Sequence, residues 1–384
     1  MSSALPSSEL PSSRSSQTGS TATETWPQAP EYAAALADGS LDLTPLLAGQ
    51  PEFVHRRFAQ PVGRTGSSAV VYPIEVDHQR KALRLFTRAS EVPIERYRRL
   101  ADEHFDETPL EIPQLVPNSV VVDGVAFPAL VGPWIEGPNL DDWVDQRVDE
   151  GDVGALIAMR GQWLDIVRSM QVQPMAHGDL QHGNVIVAAN NQIELVDLDG
   201  VWTPSTADLV PNERGHEHYQ HPRFTPDQDW NQFADTFPAA VISLGLAIAC
   251  EDPNFWRQSR ARSEDQMVIG AEHFANIDHP LWQVLVASPS ASVAWSARLV
   301  RDAIAAPRPP QCALGVLGRH DELPPPPPSA PPEAVALDMP YGSEASTPAP
   351  PEQSDGQPLP IVPDLPPPDA EIPAYLRRAR GEDI

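Results

Sequence analysis

Apolar and polar positions change rhythm along the chain. Over residues 53–86 they follow strand-like patterning. QPVGRTGSSAVVYPIEV reads as a strand, a Gly/Ser turn and a β-branched strand, and KALRLF alternates as a third. Three consecutive strands make a small antiparallel sheet. Residues 91–105 (EVPIERYRRLADEHF) then have the pattern of a helix with Pro93 in its first turn and a charged outer face. Two further strands are expected around 119–122 and 126–131. After Gly137, Leu156, Met159, Trp163, Ile166, Val167 and Met170 recur at helical spacing, and 237–250 is apolar throughout. A five-stranded sheet with one helix, followed by a mainly helical body, predicts an α+β fold in two lobes. The smaller covers about 50–136 and the larger about 137–305, with a cleft between them.

Composition sets the limits of this unit. Of 384 residues 41% are hydrophobic, enough to bury one two-lobed domain, but the 45 prolines crowd beyond Arg308 and the first 28 or so residues are mostly Ser, Thr, Pro and Ala. The expectation is a mostly disordered arm over 1–49 and a Pro-rich disordered tail over 306–384. Within that tail, 324–328 suits a polyproline II spacer, a ligand for an aromatic groove or a plain linker. Its end, EIPAYLRRAR at 371–380, has the make-up of a short docking helix.

A formal charge of −27 with no basic stripe argues against nucleic acid and anionic lipid as partners. Cys250 and Cys312 cannot build a disulfide framework or, alone, a zinc site. The N-terminus lacks the basic and apolar parts of a secretion signal, and the longest apolar run falls short of the ~20 residues of a membrane helix. A cytoplasmic location is expected.

Two polar clusters beside apolar runs carry the chemistry: His-Gly-Asp-Leu-Gln-His-Gly-Asn-Val at 177–185 and Glu-Leu-Val-Asp-Leu-Asp-Gly at 194–200. Asp179 precedes Asn184 by five positions, and Asn184 precedes Asp197 by thirteen. Phosphoryl transfer needs a carboxylate to orient or deprotonate the attacking hydroxyl. It also needs an amide oxygen and a second carboxylate to hold Mg²⁺ against the phosphates. Asp179 is the candidate base, and Asn184 and Asp197 are the candidate metal ligands. The plain alternative is a pair of ordinary turns. His177 is expected to be a scaffold beneath the loop, and His182 a surface residue.

With these spacings the chain resembles a eukaryotic-type Ser/Thr protein kinase domain of the divergent kind found in bacteria. The resemblance extends over most of 50–305. GHEHYQHPR at 215–223 resembles the segment that ends in A-P-E, sharing Gly215, Tyr219 and Pro222. Asp235 stands where kinases place the Asp that begins a buried helix and braces the catalytic loop; a simple helix cap is the alternative. Pro133-Trp134-Ile135-Glu136-Gly137 matches the hinge, with the N–H of Ile135 available to adenine. ATP and Mg²⁺ are the cofactors this implies.

The departures are as specific. Arg84 stands in place of the strand-three lysine that pairs with a helix glutamate, and Lys81 faces the other way by strand alternation. The expected partner of Arg84 is Glu103, with Glu95 as second choice. Gln181 replaces the catalytic-loop lysine, Gly178 the arginine of H-R-D, and Arg223 the glutamate of A-P-E. The Gly-rich loop is reduced to Arg64, Gly66 and Ala69, with Gly63 alongside. Its backbone N–H groups from Gly66 to Ala69 are expected to cradle phosphate, or else form a plain hairpin.

These changes imply a kinase-like signalling protein with weak or absent turnover. The alternatives are a small-molecule phosphotransferase of the aminoglycoside or choline kinase type, whose loop shares the H-G-D-L run, and a nucleotide-free scaffold. PP2C-type phosphatases and von Willebrand A-type proteins are partners by resemblance only.

Overall fold

The computed structural model describes residues 26–47, 51–103, 110–170, 174–211, 214–263 and 265–311. A helix, α1 (Ala29–Ala37), precedes the strands β1 (Glu52–Phe53), β2 (Arg56–Arg57), β3 (Gln60–Pro61), β4 (Arg64–Thr65), β5 (Ala69–Val76) and β6 (Gln79–Phe86). Helix α2 (Glu91–Leu100) leads to the hairpin β7 (Gln114–Val122) and β8 (Val125–Pro133).

The strands β1, β5, β6, β8 and β7 lie in that order, with β4 also pairing β5, in one antiparallel sheet. This is one strand more than the pattern predicts, because β1 and β4 are two-residue pieces too short to show a period. The last two strands are longer than expected. An irregularity between Val116 and Val120 breaks their alternation, which hides the first half of β7 in the sequence.

The remainder is helical: α3 (Leu140–Glu150), α4 (Val153–Ser169), α5 (Pro226–Asp229), α6 (Thr236–Glu251), α7 (Pro253–Arg260), α8 (Ala271–Ala275), α9 (Pro280–Val286) and α10 (Ala291–Ala305). A short β9 (Val185–Val187) and β10 (Ile193–Leu195) hairpin interrupts it. The fold is therefore α+β. Helix α6 is buried from Thr236 to Cys250, which explains its lack of a polar face. It packs between α4 and α10, and its Ser243 hydroxyl accepts the indole N–H of buried Trp163 at 3.0 Å. Each large apolar side chain so buried contributes roughly 1.5–3 kcal/mol. Among the described residues no helix is long and apolar enough to cross a membrane.

The expected arm over 1–49 needs correction. Residues 26–47 lie against the sheet: Tyr32 and Leu36, one helical turn apart, and Leu43 join the core formed by Val70, Ile74, Val120 and Phe127. The Tyr32 hydroxyl donates to Phe86 O at 2.8 Å, and Tyr72 donates to Ala29 O at 3.3 Å. Polar neighbours in the sequence conceal this short apolar stripe. At the other end of the core, Arg308 reaches Asp229 beyond the expected boundary at 305. Helix α2 ends at Leu100, short of the expected 105, and residues 101–103 are turn and bend; residues 104–105, Cys312, the run 324–328 and the stretch 371–380 fall outside the described residues.

Candidate functional site

Between the sheet and the β9–β10 hairpin lies a cleft of about 390 Å³. Val71, Ala82, Leu130, Ile186 and Leu198 supply apolar walls, Gly66 to Ala69 the lip, and Pro133 to Ile135 the edge of the connection into the helical half. Arg64, on the lip, stacks its guanidinium over Trp134 at 4.5 Å from the ring centroid. Polar side chains also line the cleft, among them Arg64, Glu111, Glu194, Arg84 and Asp197.

Arg84 occupies one end of the cleft. Strand β6 holds it opposite Val71 and Leu130, and its side chain is only 15% exposed. Nη1 donates to Asp197 Oδ1 and Asp199 Oδ1, both at 2.9 Å. Nη2 donates to Asp199 Oδ2 at 2.6 Å and reaches Ser68 Oγ at 3.3 Å. Neither Glu103 nor Glu95 is its partner, which corrects the expected pairing. Glu103 accepts from the hydroxyls of Thr203 and Ser205, and Glu95 pairs with Arg98 and Arg99.

The reason is that α2 presents Tyr97, not a carboxylate, to this end of the cleft. Its hydroxyl donates to Asp199 Oδ1 at 2.9 Å. Neighbouring Arg96 donates to Asp199 O and Leu209 O. Asp199 therefore supplies the partly buried carboxylate at this end. It stands two positions after Asp197 in D-L-D-G, a visible signal whose role the linear spacing does not reveal.

Two aspartates sharing one guanidinium titrate apart. Burial works to raise Asp197, but the Arg84 charge outweighs it and holds the carboxyl below its usual range. Burial raises Asp199, with Asp197 adding to the rise and Arg84 opposing it. Asp197 itself sits at φ 62°, in the left-handed region. Its side chain stays 47% exposed.

The 177–184 loop is fixed from below. Asp235 accepts from the backbone N–H of His177 and, at 2.9 Å, from that of Gly178, and makes no cap to its own helix. His177 is fully buried, with Nε2 2.9 Å from Val196 O. Asn184 donates to Asp179 O at 2.8 Å and to Asp179 Oδ2 at 3.2 Å, while Gln181 also donates to Oδ2. The other oxygen, Oδ1, accepts from His216 N at 3.1 Å, just after Gly215.

Tyr219 is buried, and its hydroxyl bonds His182 Nδ1. His182 is thus a core residue, contrary to the surface position expected, with Nε2 3.5 Å from Asp141. A histidine between Gln and Gly gives no periodic sign of burial. Pro222 is exposed. Arg223 donates to Ile304 O and Ala306 O at the end of α10, where a cation suits the helix C-terminus.

Compared with models of known protein families and with curated proteins, the chain matches none.

The lip departs from a phosphate cradle in one respect. The Gly66 N–H is already spent on Ala69 O at 2.8 Å, closing a plain hairpin turn. Gly63 is glycine for steric reasons, since a Cβ there would meet Val70 at 2.7 Å. Among the described residues no group of three or more His, Cys, Asp or Glu side chains is gathered for a metal. Asp197, Asp199 and the side-chain amide oxygen of Asn184 are still hard oxygen donors of the kind Mg²⁺ accepts when it keeps several waters. The donor set fits such an ion, with Arg84 as the competing cation.

Proposed function

We propose that this chain is a divergent, two-lobed protein-kinase-like domain that binds ATP in the cleft and transfers phosphate weakly or not at all, acting in cytoplasmic signalling through protein partners. The observation that carries this reading is the commitment of Arg84 to Asp197 and Asp199. The cation expected to hold phosphates and the carboxylate expected to hold metal engage one another.

Adenine would meet apolar walls at Ala82, Leu130 and Ile186 and the chain at Pro133 to Ile135, where the Ile135 N–H is the expected partner. Asp179 is held by Asn184 and His216, oriented for a hydroxyl, and Gln181 brings no charge to the phosphates. Mg²⁺, held by Asp197 and Asn184, would supply charge neutralisation between phosphate oxygens.

Weak turnover follows from positioning. A planar guanidinium bridging two carboxylates does not sit where an ammonium would place a phosphoryl group. Thermal shift with ATP and Mg²⁺ tests the reading: stabilisation by mass action is expected in the native chain. It is lost in Asp197→Ala and retained in Asp179→Ala. Full stabilisation of Asp197→Ala sinks the metal assignment, and no response of the native chain sinks nucleotide binding.

A further inference from the structure

The carboxylate partner of Arg84 has an unusual location. A strand cation paired with a glutamate on α2 would leave the 197–199 loop free for metal, but here α2 offers the Tyr97 hydroxyl and the loop itself supplies both carboxylates. Arg84 donates three hydrogen bonds into that loop, so three of the four carboxylate oxygens a divalent ion would use already face a guanidinium N–H.

We infer that Arg84 gates this loop: its guanidinium and a divalent cation compete for Asp197 and Asp199, and the cation enters only when an anionic group of the ligand draws Arg84 away. Charge explains the order of events. Arg84 with two aspartates leaves one net negative charge, so polyphosphate alone meets repulsion from the freed carboxylates. A divalent ion alone meets the guanidinium already in place. Arrival of both resolves the two conflicts, because phosphate takes Arg84 and the metal takes the aspartates. The two ligands therefore bind as a coupled pair, each strengthening the other by the same factor. Ser68, already 3.3 Å from Nη2, lies on the lip towards which the guanidinium moves. The coupling rests on the nucleotide-binding reading; the competition between Arg84 and metal does not.

Mn²⁺ alone, followed by electron paramagnetic resonance on the full chain, tests the competition. Arg84→Gln should bind Mn²⁺ about tenfold or more tightly than the native chain, and Arg84→Gln with Asp197→Asn should lose that gain. Arg84→Lys, which keeps the charge but cannot bridge both carboxylates, should fall between, and it serves if the glutamine variant fails to fold. Equal Mn²⁺ affinity in the native chain and the Arg84 variants overturns the gate, as does a gain that survives Asp197→Asn.

Thermal shift tests the coupling. ATP in EDTA and Mg²⁺ without ATP should each leave the native melting temperature unchanged, and the two together should raise it. Stabilisation by ATP in EDTA overturns the coupling. No stabilisation under any condition removes the nucleotide reading and the coupling with it, while the Mn²⁺ comparison still decides the gate.

Discussion

A Cβ atom on Gly178 would stand 2.0 Å from the carbonyl oxygen of Gly200. The loop carrying Asp179 and the loop carrying Asp197 thus touch backbone to backbone, and Gly178 adopts φ 82° to allow it. This contact excludes any side chain at 178, which is the physical reason that no arginine precedes Asp179.

Gly178→Ala is expected to destabilise the chain by roughly 3 kcal/mol or more, combining about 1–2 for a left-handed L-residue with about 1–3 for the overlap. Urea denaturation measures it. A loss under about 1 kcal/mol would mean that the two loops are free to part.

Tyr32→Ala removes a fully buried ring and its bond to Phe86 O, at a cost of about 3–5 kcal/mol. A fragment of residues 50–305 should accordingly melt well below one of 26–311. Calorimetry on the two fragments decides whether α1 belongs to the folded unit.

Acid should weaken the chain through half-buried His216 and buried His221. Burial lowers His216, with His218 adding to the effect. Burial also lowers His221, against the opposing bond to Ala303 O. Depressed folded values mean that this stability is present above the unfolded value of about 6.5 and is lost as pH falls through the folded values. Buried Asp235 and half-buried Asp145, both raised by loss of water around the carboxyl, act with the opposite sign. The histidine share is therefore read as a difference. The stability gap between the native chain and His216→Gln should shift in favour of the variant on going from pH 7.5 to 5.5, values chosen to bracket the unfolded pKa. A gap independent of pH removes His216 from the account.

Native turnover should be slight, and Arg84→Lys with Gln181→Lys should raise ATP hydrolysis on the order of tenfold by restoring compact cations beside the phosphates. A brisk native enzyme that Arg84→Lys slows would show Arg84 to be an adapted catalytic cation.

The sequence by itself determined the α+β class, the strands β5, β6 and β8 with the second half of β7, the buried α6 and the spacing of Asp179, Asn184 and Asp197. Each is written in a local period or a fixed spacing that needs no distant partner to be read. Tertiary structure alone decided the rest. Tyr32 and Leu36 are buried only because the sheet offers them a face. His182 is buried because Tyr219 and Asp141 converge on it from other segments. Arg84 meets Asp199 and not Glu103 because the sheet, α2 and the 197–199 loop converge at one end of the cleft, across 115 positions of chain. Over such distances, charge finds its partner by packing, and no spacing along the chain records the choice.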